Sequence, residues 1–347
     1  MAKIGVLGAG MMGSALSVPL ADAQHDIVTV GTPLDAKIVT ALREGKPHPG
    51  LGVPLPNVQA RPWEEAAPAL ADRDGIVIGV SSAGIDFAAR AVKELGLSKK
   101  PLVLVTKGLR FRDGEFRLMP DIVSGASGAD SHGAPASICG PCIAGELARR
   151  VPTTVVISGR DPATVDRWAS WLGTSYYRLV ASADLIGSQV CAALKNAYAM
   201  GLAFADGLHQ RSSGRPGSLA LHNYEAAVFA QALEEMRELT VLAGGNAETA
   251  AGLAGAGDLL VTTSGGRTSR LGRALGLGLG RTEAVRRMQG ATLEALEVLE
   301  VMRAASAELR ARGRLAPEAL PLLRHLMEVL LDDRDVAVPF EHFFRRA

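Results

Sequence analysis

The chain carries almost no net charge, few aromatics, few cysteines and no apolar stretch long enough to span a bilayer. Its 37 Lys and Arg against 36 Asp and Glu leave a formal +1. That balance provides no diffuse basic field for nucleic acid or an anionic membrane surface, so any anion must be held by a local pocket. The 3 cysteines, Cys139, Cys142 and Cys191, are odd in number and sit among apolar or small residues, which suits free thiols in a reducing cytoplasm better than a disulfide framework. Cys139-Gly140-Pro141-Cys142 has the spacing of a redox CxxC or of half a zinc site. No second Cys/His pair stands at metal spacing and no thioredoxin-like βαβ begins there, so no metal is expected. With neither a charged leader followed by an apolar core nor a spanning run, the chain reads as cytoplasmic, without membrane insertion or a nucleic-acid partner.

A hydrophobic fraction of 48% with 21% charged residues belongs to an ordinary globular protein, and 39 glycines against 4% aromatics point to tight turns and close helix contacts. A length of 347 residues exceeds what one core usually covers and favours two domains. Residues 3–7 form an apolar run that ends in Gly8-Ala9-Gly10-Met11-Met12-Gly13, and a buried helix follows. Further apolar runs at 27–30, 75–80, 102–106, 137–139 and 154–157, with a helical pattern over 83–95, alternate as strands and helices. This predicts an α/β, Rossmann-type doubly wound parallel sheet over residues 1–182. From about Asp184 apolar residues recur at helical spacing over 186–205, 224–243 and 293–309, so residues 183–347 are expected to form an all-helical domain for substrate binding and catalysis.

Gly8, Gly10 and Gly13 make a GxGxxG turn between a strand and a helix, the arrangement that brings backbone close to a dinucleotide pyrophosphate at a helix N-terminus. An acid at the end of the second strand would bind the ribose of NAD, and a nearby Arg the extra phosphate of NADP. Here that strand runs into Gly31-Thr32-Pro33, and Asp35 and Lys37 lie slightly too far along to decide. The cofactor is therefore NAD or NADP, with the balance slightly toward NAD.

Four more segments complete a pattern: Thr106-Lys107-Gly108-Leu109, Gly140 to Glu146, Ala193-Leu194-Lys195-Asn196, and Gly252 to Leu259, followed by Gln289-Gly290. In this order, and over most of the chain, the sequence resembles the NAD(P)-dependent glycerol-3-phosphate dehydrogenases. The resemblance implies reversible reduction of dihydroxyacetone phosphate to sn-glycerol 3-phosphate by a homodimer, with C-terminal helices of the 6-phosphogluconate dehydrogenase type. It assigns Lys195 as the acid/base and Asp258 as its supporting carboxylate, with Lys107, Asn196, Thr262, Arg267 and Arg270 on the substrate. The cofactor is assigned to Gly8, Gly10, Met11, Met12, Gly13, Lys107, Ala144, Arg270 and Gln289.

The residues support parts of this independently. A lysine inside an apolar helical stretch loses hydration, which lowers its pKa toward a range useful for proton transfer, although Lys195 could instead snorkel to solvent. Asp258 follows a run of small residues and is either catalytic or a helix N-cap. Thr262 shares its side if that segment is helical. Lys107 ends a strand, where ligands bind in open α/β sheets, or is a solvated turn residue. The family's Arg-Asn pair is replaced by Ser264-Gly265-Gly266-Arg267-Thr268-Ser269-Arg270, in which either arginine can grip an anion. Residues 209–222, with Arg211, Arg215 and Pro216, are longer than the family's loop, and Gln231 replaces an Arg-Gly step. The longer loop is either an inert surface insertion or a cover for a larger or more anionic substrate, so these departures leave open a different phosphorylated or carboxylated hydroxy or keto substrate. A non-catalytic dinucleotide sensor is disfavoured, since a sensor has no need of Lys195, Asn196 and Asp258.

Overall fold

The computed structural model describes residues 1–56, 58–127, 134–213, 221–288 and 294–344. They divide into two compact units, Met1–Lys107 with Leu118–Gln189, and Gly108–Arg117 with Val190–Ala347. The change of texture near residue 183 marks the start of a helix, and the division between units falls a few residues later, within that helix. The reason is a buried contact: Gln189 Nε2 donates to Ser137 Oγ at 2.7 Å and so ties the first turns to the sheet.

The first unit runs β1 (Lys3–Leu7), α1 (Met11–Asp22), β2 (Asp26–Val30), α2 (Ala36–Arg43), β3 (Val58–Arg61), α3 (Ala66–Leu70), β4 (Gly75–Ile78), α4 (Ile85–Glu94) and β5 (Leu102–Leu104). After a hairpin of β6 (Leu109–Arg112) and β7 (Glu115–Leu118) come α5 (Met119–Ser127), β8 (Ala136–Cys139), α6 (Ala144–Leu147), β9 (Thr153–Ser158), α7 (Pro162–Leu172) and β10 (Tyr177–Ser182). Among the described residues the main sheet has eight strands in the order β10-β9-β8-β5-β4-β1-β2-β3. Alternate residues of the central strands enter opposite layers: Val77 and Val103 pack with Leu16 and Trp168, while Ile76, Ile78, Leu102 and Leu104 pack with Ile85, Val92 and Val123. Both faces are thus covered, which is why the strands are continuous apolar runs.

The sheet is not parallel throughout. β8 and β9 pair antiparallel, and β10 runs parallel to β9. A parallel return needs a crossover of a dozen or more residues, usually helical. Between β8 and β9 the only helix is the four-residue α6, so the chain turns back instead.

The second unit holds α8 (Leu185–Ser213, from Val190 onward), α9 (His222–Leu242), α10 (Asp258–Thr263), α11 (Arg267–Gly276), α12 (Arg281–Arg286), α13 (Glu294–Ala311) and α14 (Pro321–Leu331). Among the described residues its only strands are those of the β6–β7 hairpin, most of which joins this unit rather than the first. Asp113 and Gly114 turn that hairpin with φ of 57° and 82°, the left-handed pair that a two-residue hairpin loop requires. Arg314 Nη1 donates to the Gly114 carbonyl at 3.0 Å and fastens it. Among the described residues no helix is long and apolar enough to cross a membrane.

Candidate active site

In the first unit, the glycine turn sits where β1, β2 and β4 end. Gly8 N donates to Val30 O and Gly79 N to Leu7 O, each at 2.8 Å. Gly8 has φ of +102°, and a Cβ there would stand 3.0 Å from the Gly79 carbonyl oxygen. A Cβ on Gly13 would lie 2.8 Å from Gly8 O and 3.0 Å from Gly79 Cα. Packing therefore demands glycine at both positions. Gly10 differs: its Cβ would meet only Gly79 O, at an ordinary 3.5 Å. Nothing among the described residues requires glycine there, whereas a pyrophosphate drawn close to the backbone would. No side chain caps the α1 N-terminus at Gly10, so its first N–H groups suit an anion. The turn fits a dinucleotide on this geometry.

Asp35 lies five residues beyond β2, in the short turn Pro33–Asp35, and its Oδ2 accepts from Thr32 N at 2.8 Å, Thr32 Oγ1 at 2.8 Å and Ala9 N at 3.2 Å. The carboxylate thus closes its own turn and braces the glycine turn. Lys107, just beyond β5, donates from Nζ to Gly140 O at 3.2 Å, which places it at the carboxyl ends of β5 and β8. Met11 is half exposed, Met12 Sδ lies 4.0 Å from Cys142 Sγ, and Ala144 opens α6.

In the second unit, Lys195 is 9% exposed on α8 and Asp258 is fully buried at the start of α10. Lys195 Nζ meets Asp258 Oδ1 at 2.5 Å. A lysine at this depth without a counter-charge would cost several kcal/mol, so the pair accounts for both burials. The small residues before Asp258 allow this placement: a Cβ on Gly255 would lie 2.1 Å from Ala250 O. Asp258 follows a π-helical turn over Leu253–Gly257 and is no N-cap. Thr262 is on the same helix, its Oγ1 donating to Asp258 O at 2.6 Å, which leaves its lone pairs as acceptors.

Asn196 is buried beside Lys195, its Nδ2 donating to Glu294 at the start of α13 and its Oδ1 accepting from Thr268 Oγ1 at 3.4 Å. Glu294 and Thr268 are functional candidates that sequence reasoning misses. Thr268 reaches Asn196 because α11 lies directly on α8: a Cβ on Gly272 would be 2.2 Å from Met200 O, and one on Gly276 2.4 Å from Phe204 O. Arg267 and Arg270 are both exposed on the first turn of α11. Gln231, by contrast, is buried and structural. Its Nε2 donates to Glu235 at 3.0 Å and its Oε1 accepts from Phe344 N at 3.0 Å. Gln289, Gly290, Arg215 and Pro216 lie outside the described residues.

Family models described as the N-terminus and the C-terminus of NAD-dependent glycerol-3-phosphate dehydrogenase match residues 3–165 and 184–340. The chain belongs to the NAD-dependent glycerol-3-phosphate dehydrogenase family. It is 34% identical over 286 residues to the NADP(+)-dependent glycerol-3-phosphate dehydrogenase of Archaeoglobus fulgidus, covering 82% of this chain and 83% of that one. It is 34% identical over 297 residues to the glycerol-3-phosphate dehydrogenase [NAD(P)+] of Protochlamydia amoebophila, covering 85% and 84%. The crystal structure of the glycerol-3-phosphate dehydrogenase from Coxiella burnetii superposes with a TM-score of 0.80 at 27% identity, covering 96% of each chain. The fold class and family expected from the sequence are those found.

Proposed function

We propose that the chain interconverts dihydroxyacetone phosphate and sn-glycerol 3-phosphate with NAD or NADP, using Lys195 as proton donor and acceptor. The buried Lys195–Asp258 pair carries the reading, because a fully buried carboxylate 2.5 Å from a nearly buried ammonium holds Nζ in one place and one direction. When bound, the nicotinamide supplies or accepts a hydride at the substrate carbon. Lys195 Nζ gives the oxygen on that carbon its proton in reduction and takes it back in oxidation. Asp258 keeps the ammonium aimed and offsets its charge. Asn196 and Thr262 supply a fixed amide and an acceptor hydroxyl for substrate hydroxyls, and Lys107 adds a cation at the carboxyl edge of the sheet. Arg267 or Arg270, exposed on the first turn of α11, suits the phosphate. The turn at Gly8, Gly10 and Gly13, with Met11, Met12 and Ala144, and with Arg270 and Gln289, is assigned to the dinucleotide.

A second reading changes the substrate only. The carboxylate of Glu294 against Asn196 is a hydrogen-bond acceptor, and it favours a phosphorylated or carboxylated hydroxy or keto compound that carries an additional hydroxyl to donate. The setting proposed is the cytoplasm, where the thiols of Cys139, Cys142 and Cys191 stay reduced, and the assembly a homodimer, which light scattering checks.

The test follows absorbance at the reduced-nicotinamide band with dihydroxyacetone phosphate, NADH and NADPH in parallel. Oxidation of either cofactor supports the reading. In Lys195→Ala turnover is expected to fall by about 10²- to 10⁴-fold with dinucleotide binding retained. Unchanged turnover in that variant would overturn the role of Lys195, and turnover only with other hydroxy or keto acids or phosphates would favour the second reading.

A further inference from the structure

His48 belongs to none of the motifs above, yet it is completely buried beside the glycine turn. Its Nδ1 accepts from Gly50 N at 3.0 Å and Leu51 N at 3.2 Å, so that nitrogen carries no proton. The proton sits on Nε2, which donates to the Ala9 carbonyl at 3.0 Å. The same carbonyl accepts from Ser14 Oγ at 3.1 Å, and Ala9 N donates to Asp35 Oδ2 at 3.2 Å. Side chains from three segments therefore grip the backbone of one residue inside the turn. In a trans peptide the C=O and the following N–H point in opposite directions. Holding the Ala9 carbonyl inward turns the Gly10 N–H outward, at the position where packing does not ask for glycine.

We propose that His48 is a positioning residue for the dinucleotide: in its neutral, Nε2-protonated form it fixes the Ala9–Gly10 peptide so that the Gly10 N–H faces the pyrophosphate. The proposal rests on the reading of the glycine turn as a dinucleotide site. Its loop is shaped for the task. His48 N donates to Val53 O at 2.9 Å and Gly52 N to His48 O at 2.8 Å, a tight turn that presents the ring to Ala9. A Cβ on Gly50 would lie 2.9 Å from Met11 Cγ, so this loop also lies against the first residue of α1.

Two substitutions separate the two ends of the ring. In His48→Asn the carboxamide oxygen takes the place of Nδ1 and keeps the local turn, but the side chain is too short to reach Ala9. In His48→Gln the amide reaches the Nε2 position and restores the donor to Ala9. Nicotinamide fluorescence would be titrated with NADH and NADPH on the full chain, with thermal midpoints and steady-state kinetics measured alongside. Loss of one neutral hydrogen bond predicts dissociation constants about fivefold or more higher in His48→Asn. His48→Gln stays within about twofold of wild type, and in the kinetics of His48→Asn the loss appears in the dinucleotide KM rather than in kcat at saturating dinucleotide. Binding by His48→Asn as tight as wild type, or equal weakening in the two variants, overturns the proposal and leaves the dinucleotide site standing. Failure of the wild type to bind either dinucleotide overturns that site itself.

Discussion

Glu235 gives the sharpest energetic prediction in the molecule. It is 1% exposed on α9 and receives four donors: Leu322 N at 2.7 Å and Gln231 Nε2 at 3.0 Å on Oε1, and Leu323 N at 2.8 Å and Tyr198 Oη at 3.0 Å on Oε2. It thereby caps α14, whose own N-cap, Leu320, offers no side-chain acceptor. Burial pushes its carboxyl up to about 7, against the pull of those donors. The folded pKa exceeds the unfolded one, so between them the folded state holds a proton the unfolded state has lost. The contribution is fully present below the ordinary carboxyl value of 4.5 and disappears as pH rises through about 7. At about 1.4 kcal/mol per pH unit, that interval amounts to about 3 kcal/mol. Glu235→Gln cannot titrate, but its NH2 must face buried donors on one side, which costs about 1–3 kcal/mol at any pH. The variant should be clearly less stable than wild type at pH 5 and close to it at pH 8. Urea unfolding followed by circular dichroism across that range measures the difference directly, and titrations elsewhere cancel between the two proteins. A stability gap that stays constant from pH 5 to 8 would refute the reasoning.

Two further predictions concern the site. Gly10→Ala should fold with a thermal midpoint within about 2 °C of wild type, because its methyl meets nothing closer than 3.5 Å, yet bind NADH and NADPH about tenfold or more weakly; equal affinity would show that no ligand approaches there. Glu294→Ala removes a charge-assisted partner of the Asn196 amide worth about 1.5–3 kcal/mol, so kcat/KM for the substrate should fall about tenfold or more, with dinucleotide affinity unchanged. In an Asn196→Ala background the same change should do nothing more, and full additivity in that double-mutant cycle would separate Glu294 from Asn196.

Some of this was legible in the sequence because the signal is local. The glycine spacing, the apolar strands on both sides of it, and a lysine within an apolar helical run all lie within short windows. Edge strands were harder: β3, Val-Gln-Ala-Arg, and β10, with exposed Arg178 and Val180, lack the continuous apolar character of strands buried on both faces. The Asp113-Gly114 hairpin carries a recognised turn signal, and an element reading tuned to long apolar runs passes over it. The antiparallel β9 depends on how little helix forms before it, a feature settled only when the sheet is assembled. Glu294 at the head of a helix reads as a complement to the helix dipole, and nothing nearby hints at its partner 98 residues away. His48, among prolines and glycines, reads as an ordinary loop histidine until Ala9, 39 residues earlier, is placed against it.

The three glycines of the turn show how fold and function separate within one motif. Gly8 and Gly13 are required by contacts with Gly79, a residue outside the motif, so replacing them tests the packing of β1, β4 and α1 before it tests any ligand. Gly10 is required by nothing among the described residues. The same distinction applies in the second unit, where Gly272 and Gly276 hold α11 against the α8 backbone, while Arg267 and Arg270 stand exposed on that helix. The exposed arginine pair thus stands on a helix whose seating on α8 is set by Gly272 and Gly276. The residues whose identity packing leaves undetermined, Gly10, Arg267 and Arg270, are therefore those on which ligand choice can act without disturbing stability. Substitutions there should change affinity and specificity while leaving the unfolding transition in place.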